Sequence, residues 1–171
     1  DPDETEARTR WCAAQTRGPV YLRLGKAGEP VLTQQAAEPW RFGKLRLIRP
    51  GDDVAILSYG PIMKQAVAVA DALAARGTSA ALYSVHTIKP LDREAVARVL
   101  RDYKRVVVIE ECAPNGSLAM NVQAIAWQER ASCALDVFTL KDEFIHCYGS
   151  HDDLLAAHGL APDAIVARIA P

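Results

Sequence analysis

Apolar residues in this chain fall into two rhythms, short unbroken runs and stretches with a period of three to four, and the switches between them mark its elements. The run Val54 to Leu57 reaches Ser58-Tyr59-Gly60, and beyond Pro61 the residues Ile62, Ala66, Val69 and Leu73 recur at helical spacing. A strand therefore leads into a helix. Gly60 can make the sharp turn, Pro61 suits a first helical position, and Gly77 falls just past the end, where a left-handed cap is wanted. A second apolar run, Ala80 to Val85, returns so soon that strand, crossover helix and parallel strand form one unit. Asp92 to Tyr103 predicts a helix, Val106 to Ile109 a fully apolar strand, Ser117 to Arg130 a helix and Leu135 to Leu140 a further strand. Asp152 to Ala157 and Pro162 to Ile169 predict two short closing helices. The sustained alternation is that of an α/β domain, a three-layer structure around a mixed, mostly parallel sheet of about five strands. Val67, Ala70 and Leu73 on one helix and Val96, Val99 and Leu100 on the next are expected to face its core.

The first third of the chain is less regular. Lys44 to Ile48 predicts a short strand, and the turn residues Arg49-Pro50-Gly51-Asp52 point to antiparallel pairing with the Val54 strand, the one antiparallel member of the sheet. Asp1 to Thr16 predicts a helix capped by Asp3 or Thr5, and Val20 to Lys26 reads as a strand punctuated by glycine and proline. One helix and one strand cannot make a core, so this piece must lean on something else. Between it and Lys44, the segment Ala27 to Gly43 mixes proline, glycine and polar residues without a period and reads as a linker in which Trp40 and Phe42 are exposed apolar residues.

At 171 residues, half of them hydrophobic and a quarter charged, the chain can bury one good core. A formal net charge of −1 offers no basic face to a phosphate backbone, and the few aromatic residues form no stacking surface, which argues against nucleic-acid binding. No apolar run approaches the ~20 residues of a spanning helix and the start is acidic, so a cytoplasmic protein is expected. Cys12, Cys112, Cys133 and Cys147 show no CxxC spacing and read as reduced thiols.

In order, GPVYLRLGK, a proline-containing linker, GDDVAILSYG, TIKPLD, VVVIEE and DEFIHCYG resemble the carboxy-terminal part of the transketolase-like thiamine-diphosphate enzymes, which include transketolases, deoxyxylulose phosphate synthases and the β subunits of 2-oxoacid dehydrogenases. Thr87-Ile88-Lys89-Pro90-Leu91-Asp92 is the most specific piece. The resemblance implies that residues 1–26 are the last helix and strand of a pyrimidine-binding domain, 27–43 a linker and 44–171 a carboxy-terminal domain concerned mainly with subunit association. It further implies thiamine diphosphate and a divalent metal such as magnesium in the full enzyme, held by an amino-terminal half or subunit, and a homodimer. The metal-diphosphate signature of the family, a GDG followed by paired asparagine, is absent from this sequence, so the chain alone is expected to bind neither and to catalyse nothing. Two-carbon ketol or acyl transfer in the whole assembly is the implied activity. A 2-oxoacid dehydrogenase with a lipoyl-bearing partner, a purely associating module and a small-ligand regulatory domain are the alternatives.

Candidate chemistry is sparse. By the resemblance, Lys26 stands where family members carry a phosphate-binding arginine; a lysine keeps the charge but loses the bidentate fork. Its bland reading is a solvated charge, and Arg23 reads as a packing or salt-bridge residue. Glu110 and Glu111 follow an apolar strand, where paired carboxylates can serve acid and base roles, but no nucleophile or metal partner accompanies them and a solvated or interfacial turn is expected. His146, Cys147, His151 and His158, with Cys112, are soft ligands whose spacing matches no closed zinc site. His86 reads as a satisfied, partly buried histidine, and the single glycine of Ser58-Tyr59-Gly60 is a weak cofactor signal beside a helix end that could hold a small anion.

Overall fold

In the computed structural model, which describes residues 1–15, 17–26 and 28–169, one five-stranded sheet is ordered β1-β3-β2-β4-β5. Its strands are β1 (Arg46–Arg49), β2 (Val54–Ser58), β3 (Ala80–Ser84), β4 (Arg105–Ile109) and β5 (Ala134–Phe138). Neighbours among β2 to β5 pair in parallel, and β1 runs antiparallel to β3. The helices are α1 (Pro2–Gln15), α2 (Met63–Ala74), α3 (Arg93–Asp102), α4 (Leu118–Gln128), α5 (His151–Ala157) and α6 (Pro162–Ile169). The mixed three-layer α/β sheet expected from the sequence is thus present.

Period-two alternation sends each strand's residues to opposite faces, and each face has its own core. On one, Ile56, Leu82, Val107 and Ile109 meet Ala66, Val69 and Leu73 of α2 together with Ile165 and Ile169 of α6. On the other, Ala55, Leu57, Val106 and Val108 meet Val96 and Leu100 of α3 and Val122 and Ile125 of α4. Ala70 and Leu73 are buried as expected, whereas Val67 is only partly covered. Leu73 is 1% exposed, so Leu73→Ala is expected to lower stability in urea unfolding by about 3 kcal/mol. A loss under about 0.5 kcal/mol would place that side chain on the surface.

Local signals set the helix ends. Gly60 takes φ +70°, Pro61 sits in a 3-10 turn over Gly60–Ile62, and α2 follows directly. Asp92 caps α3 by accepting from the Ala95 amide at 3.3 Å, and Ser117 caps α4 through the Met120 amide at 3.1 Å. At α5, Ser150 and Asp153 satisfy each other's amides in a capping box.

Three expectations need correction. The Lys44–Ile48 strand, seen as β1, pairs with β3 rather than with β2. Both edges of β2 are taken by β3 and β4 and all five of its residues are buried, while the arginine-flanked β1 suits an edge. Glycine is required at position 51, where a Cβ would strike the backbone of Ala80 and Ala81. Second, Val20 to Lys26 takes no strand assignment and joins no ladder among the described residues, whose one sheet consists of β1 to β5. Third, α1 is capped by Asp1 rather than by Asp3 or Thr5: the Asp1 carboxylate accepts from the Asp3 amide at 3.0 Å and the Thr33 amide at 2.9 Å.

The linker packs more than its composition suggests. Trp11 stacks on Phe42 with ring centroids 3.6 Å apart, and Trp40 lies against His86, so both supposed surface aromatics are half-buried. Glu4, 3% exposed, meets Arg8 at 3.2 Å, Arg46 at 3.0 Å and the Ser84 hydroxyl at 3.0 Å, which fastens α1 to β1 and β3. The sequence-based boundaries at Thr16, Ala27 and Pro171 lie outside the described residues.

Candidate functional site

The connection leaving β2 crosses one face of the sheet toward β3, and the one leaving β4 crosses the other toward β5. The carboxyl ends of these adjacent strands therefore flank the switch point at which open parallel sheets take ligands. Tyr59 and Gly60 follow β2 there, and Glu110 and Glu111 follow β4.

Glu110 is wholly buried, contrary to the solvated turn expected for it. Its carboxylate accepts from the Leu118 amide at 3.0 Å, the Ala119 amide at 2.7 Å and the Tyr59 hydroxyl at 3.0 Å. The first amides of α4 have no partner within the helix and the helix dipole favours an anion beside them, which explains how a carboxylate is held in the core. Burial first, then the charge and hydrogen bond of Glu110, push the Tyr59 hydroxyl above its usual pKa. The switch point is thereby closed by the protein's own groups. Glu110 is a strut, with its oxygens committed to donors and shut off from solvent.

Glu111, half-buried, faces outward. Its Oε1 lies 2.8 Å from His151 Nε2 at the start of α5, and its carbonyl accepts from Arg23 Nη2 at 3.4 Å. The segment carrying Arg23 passes over the turn after β2, where Arg8, Arg23, Leu24, Gly25, Gly28 and Pro61 are among the residues lining a cavity of about 250 Å³. Gly25 approaches so closely that a Cβ there would lie 2.7 Å from Pro61 Cγ. Lys26 is exposed and lies between the lining residues Gly25 and Gly28 without being one of them.

The remaining candidates are not brought into one site. His158 Nδ1 accepts from the Lys141 amide at 3.0 Å, His151 belongs to Glu111, Cys112 is half-buried and Cys147 exposed. Among the described residues no three His, Cys, Asp or Glu side chains gather around a metal-sized space. His86 is 7% exposed and only half satisfied: Nδ1 lies 2.8 Å from Thr87 Oγ1, while Nε2 has no partner. Burial, aided by Arg8 and Arg46, pushes its pKa from 6.5 down to about 3, so the ring is neutral at ordinary pH. No helix among the described residues is long and apolar enough to cross a membrane.

Residues 43–165 match the family described as the transketolase C-terminal domain. The 1-deoxy-D-xylulose-5-phosphate synthase of Heliobacterium modesticaldum is 30% identical over 159 residues, 92% of this chain and 24% of that protein. A transketolase-family protein of Sinorhizobium fredii is 32% identical over 171 residues, 99% of this chain and 49% of its own length. Among solved structures, a split-gene transketolase described as an inactive beta4 tetramer superposes with a TM-score of 0.76 at 29% identity, over 91% of this chain and 49% of that one. A transketolase of Campylobacter jejuni shares the fold alone, at 14% identity and a TM-score of 0.50. The chain spans from a quarter to a half of the length of these curated relatives.

Proposed function

Because this chain belongs to the transketolase C-terminal domain family, we propose that it is the carboxy-terminal portion of a thiamine-diphosphate-dependent transketolase-like enzyme, moving a two-carbon ketol or acyl unit in the complete assembly. The observation that carries this reading is the match of residues 43–165, joined to a likeness to a split-gene transketolase over 91% of the chain. The switch point is sealed by Tyr59 and Glu110, and the described carboxylates and histidines do not gather around a metal, so these residues do not fit a diphosphate-bound cation. The metal and the cofactor belong to the amino-terminal part of the assembly. Bound thiamine diphosphate supplies there the electron sink for breaking the bond beside a carbonyl. This chain contributes association, in a cytoplasmic enzyme that works as a dimer, and one charge toward substrate.

That charge is Lys26. Exposed three residues after Arg23, it meets the phosphate of a sugar-phosphate substrate by point charge rather than by a two-pronged hydrogen bond. In the whole enzyme, Lys26→Met is expected to raise KM for a phosphorylated substrate about tenfold with kcat little changed, and Lys26→Arg to restore it. An unchanged KM would return Lys26 to the solvated surface. Steady-state assays of the same enzyme with sugar phosphates and with 2-oxoacids test the donor class. Turnover of the 2-oxoacid alone, with a lipoyl acceptor, would replace the transketolase-like reading by the dehydrogenase one.

A further inference from the structure

Among the described residues, three helices end in the same hydrogen-bonded turn, and one of them does so without glycine. After α2 the Thr78 amide reaches back to the Leu73 carbonyl at 3.0 Å around Gly77, and after α5 the Leu160 amide reaches the Leu155 carbonyl at 2.9 Å around Gly159. Both glycines take the positive φ this turn requires, +80° and +81°. After α4 the Ala131 amide closes the same turn on the Ala126 carbonyl at 2.9 Å, but the residue at positive φ is Arg130, at +52°. A side chain there strains the backbone, and glycine would remove that strain.

What Arg130 gains is a place in the wall of a cavity of about 700 Å³. The half-buried Ala126, Ala131, Cys133 and Leu135 line it together with the exposed Gln123, Trp127 and Arg130. Trp127 is 87% exposed, and its indole stacks on no other described ring. Cys133 adds no charge, because burial pushes its thiol pKa up. Gln128 is held by Arg93 at 2.6 Å and Glu129 by Arg101 at 3.4 Å, whereas the Arg130 guanidinium has no hydrogen-bond or ion-pair partner among the described residues. The cavity lies at the amino end of β5, the opposite end of the sheet from Tyr59 and Glu110.

We propose that this cavity is a binding site for a small planar aromatic anion, with its ring on the Trp127 indole and its carboxylate on the Arg130 guanidinium. The volume falls within the range of small-molecule sites. A flat ring suits a bare indole face, on which it stacks with an offset, and a planar guanidinium meets a carboxylate through two parallel hydrogen bonds. A neutral apolar ligand would leave that cation unmatched, and a lone inorganic anion would leave the apolar lining wet. A second copy meeting this face about a two-fold axis would bring Arg130 no acidic partner, since the described lining holds none.

Amide chemical-shift titration of the isotope-labelled 171-residue chain with cinnamate tests the assignment. Saturable shifts confined to residues 123–135 are expected, with Kd about 0.5 mM. Arg130→Gly should weaken cinnamate binding at least about tenfold while the chain melts no lower, because glycine accepts positive φ freely. Trp127→Ala should weaken it about tenfold as well. Cinnamamide, which keeps the ring and loses the charge, should bind at least about tenfold more weakly than cinnamate and be indifferent to Arg130→Gly. Cinnamate binding that survives Arg130→Gly unchanged, equal binding of the amide, shifts centred on another part of the chain, or no saturable shift at all would each overturn the inference. Self-association that excludes cinnamate and is lost in Trp127→Ala would give the cavity to a second copy and overturn it too.

Discussion

Glu110→Ala is expected to remove about 4 kcal/mol of the chain's stability, more than any single methylene-sized change in its core. The substitution leaves two amides of the first turn of α4 and the Tyr59 hydroxyl with no acceptor in a place water does not reach. Each orphaned donor costs about 1 to 3 kcal/mol, and the anion that favoured the helix end is lost with them. Glu110→Gln keeps an acceptor but turns an amide toward donors, and about half that loss is expected. Urea denaturation followed by far-ultraviolet circular dichroism measures both. A loss under about 1 kcal/mol for the alanine variant would mean that the loop after β4 opens and hydrates, and that Glu110 is not the strut closing the switch point.

Acid should destabilise the fold through His86. Its pKa falls from 6.5 in the unfolded chain to about 3 in the folded one, so below pH 6.5 the unfolded state binds a proton that the native state refuses. Stability is therefore fully present above about pH 6.5 and falls with decreasing pH until about pH 3, by about 1.4 kcal/mol per unit once the unfolded histidine is charged. The loss reaches about 4 kcal/mol across that window. The cause is first the covering of the ring, which lies 5.1 Å from the Trp40 ring, and then the positive Arg8 and Arg46. His86→Gln removes this contribution, so its stability should fall less steeply between pH 6 and pH 4 on the order of 1 kcal/mol per unit. Parallel slopes for the two proteins would show that His86 is solvated.

What the sequence made legible was local. Gly60 with Pro61, Asp92 and Ser117 each act within one turn of the chain, and the elements they bound appear where those residues put them. The partner of β1 was not legible, because it depends on β2 already having neighbours on both edges, a fact about β4 some fifty residues later. Trp40 and Phe42 read as exposed because their cover comes from His86 and Trp11, on other elements. The same holds for Glu110. An acid directly after the apolar run Val106 to Ile109, eight residues before a helix start, was the signal available, but only the fold brings the α4 amides over it. Lys26 and the stretch before it mark the opposite case, in which residues promise a strand and the stretch joins neither edge of the described sheet.

The central claim is a division of labour, with the cofactor held by the amino-terminal part of the assembly and association supplied by this chain. Titration calorimetry with thiamine diphosphate and magnesium, run on the 171-residue chain alone and on the assembly isolated from its source, tests it most directly. Saturable binding by the assembly, with two-carbon transfer, and no binding by the chain alone is the predicted result. Tight binding and turnover by the chain alone would contradict it.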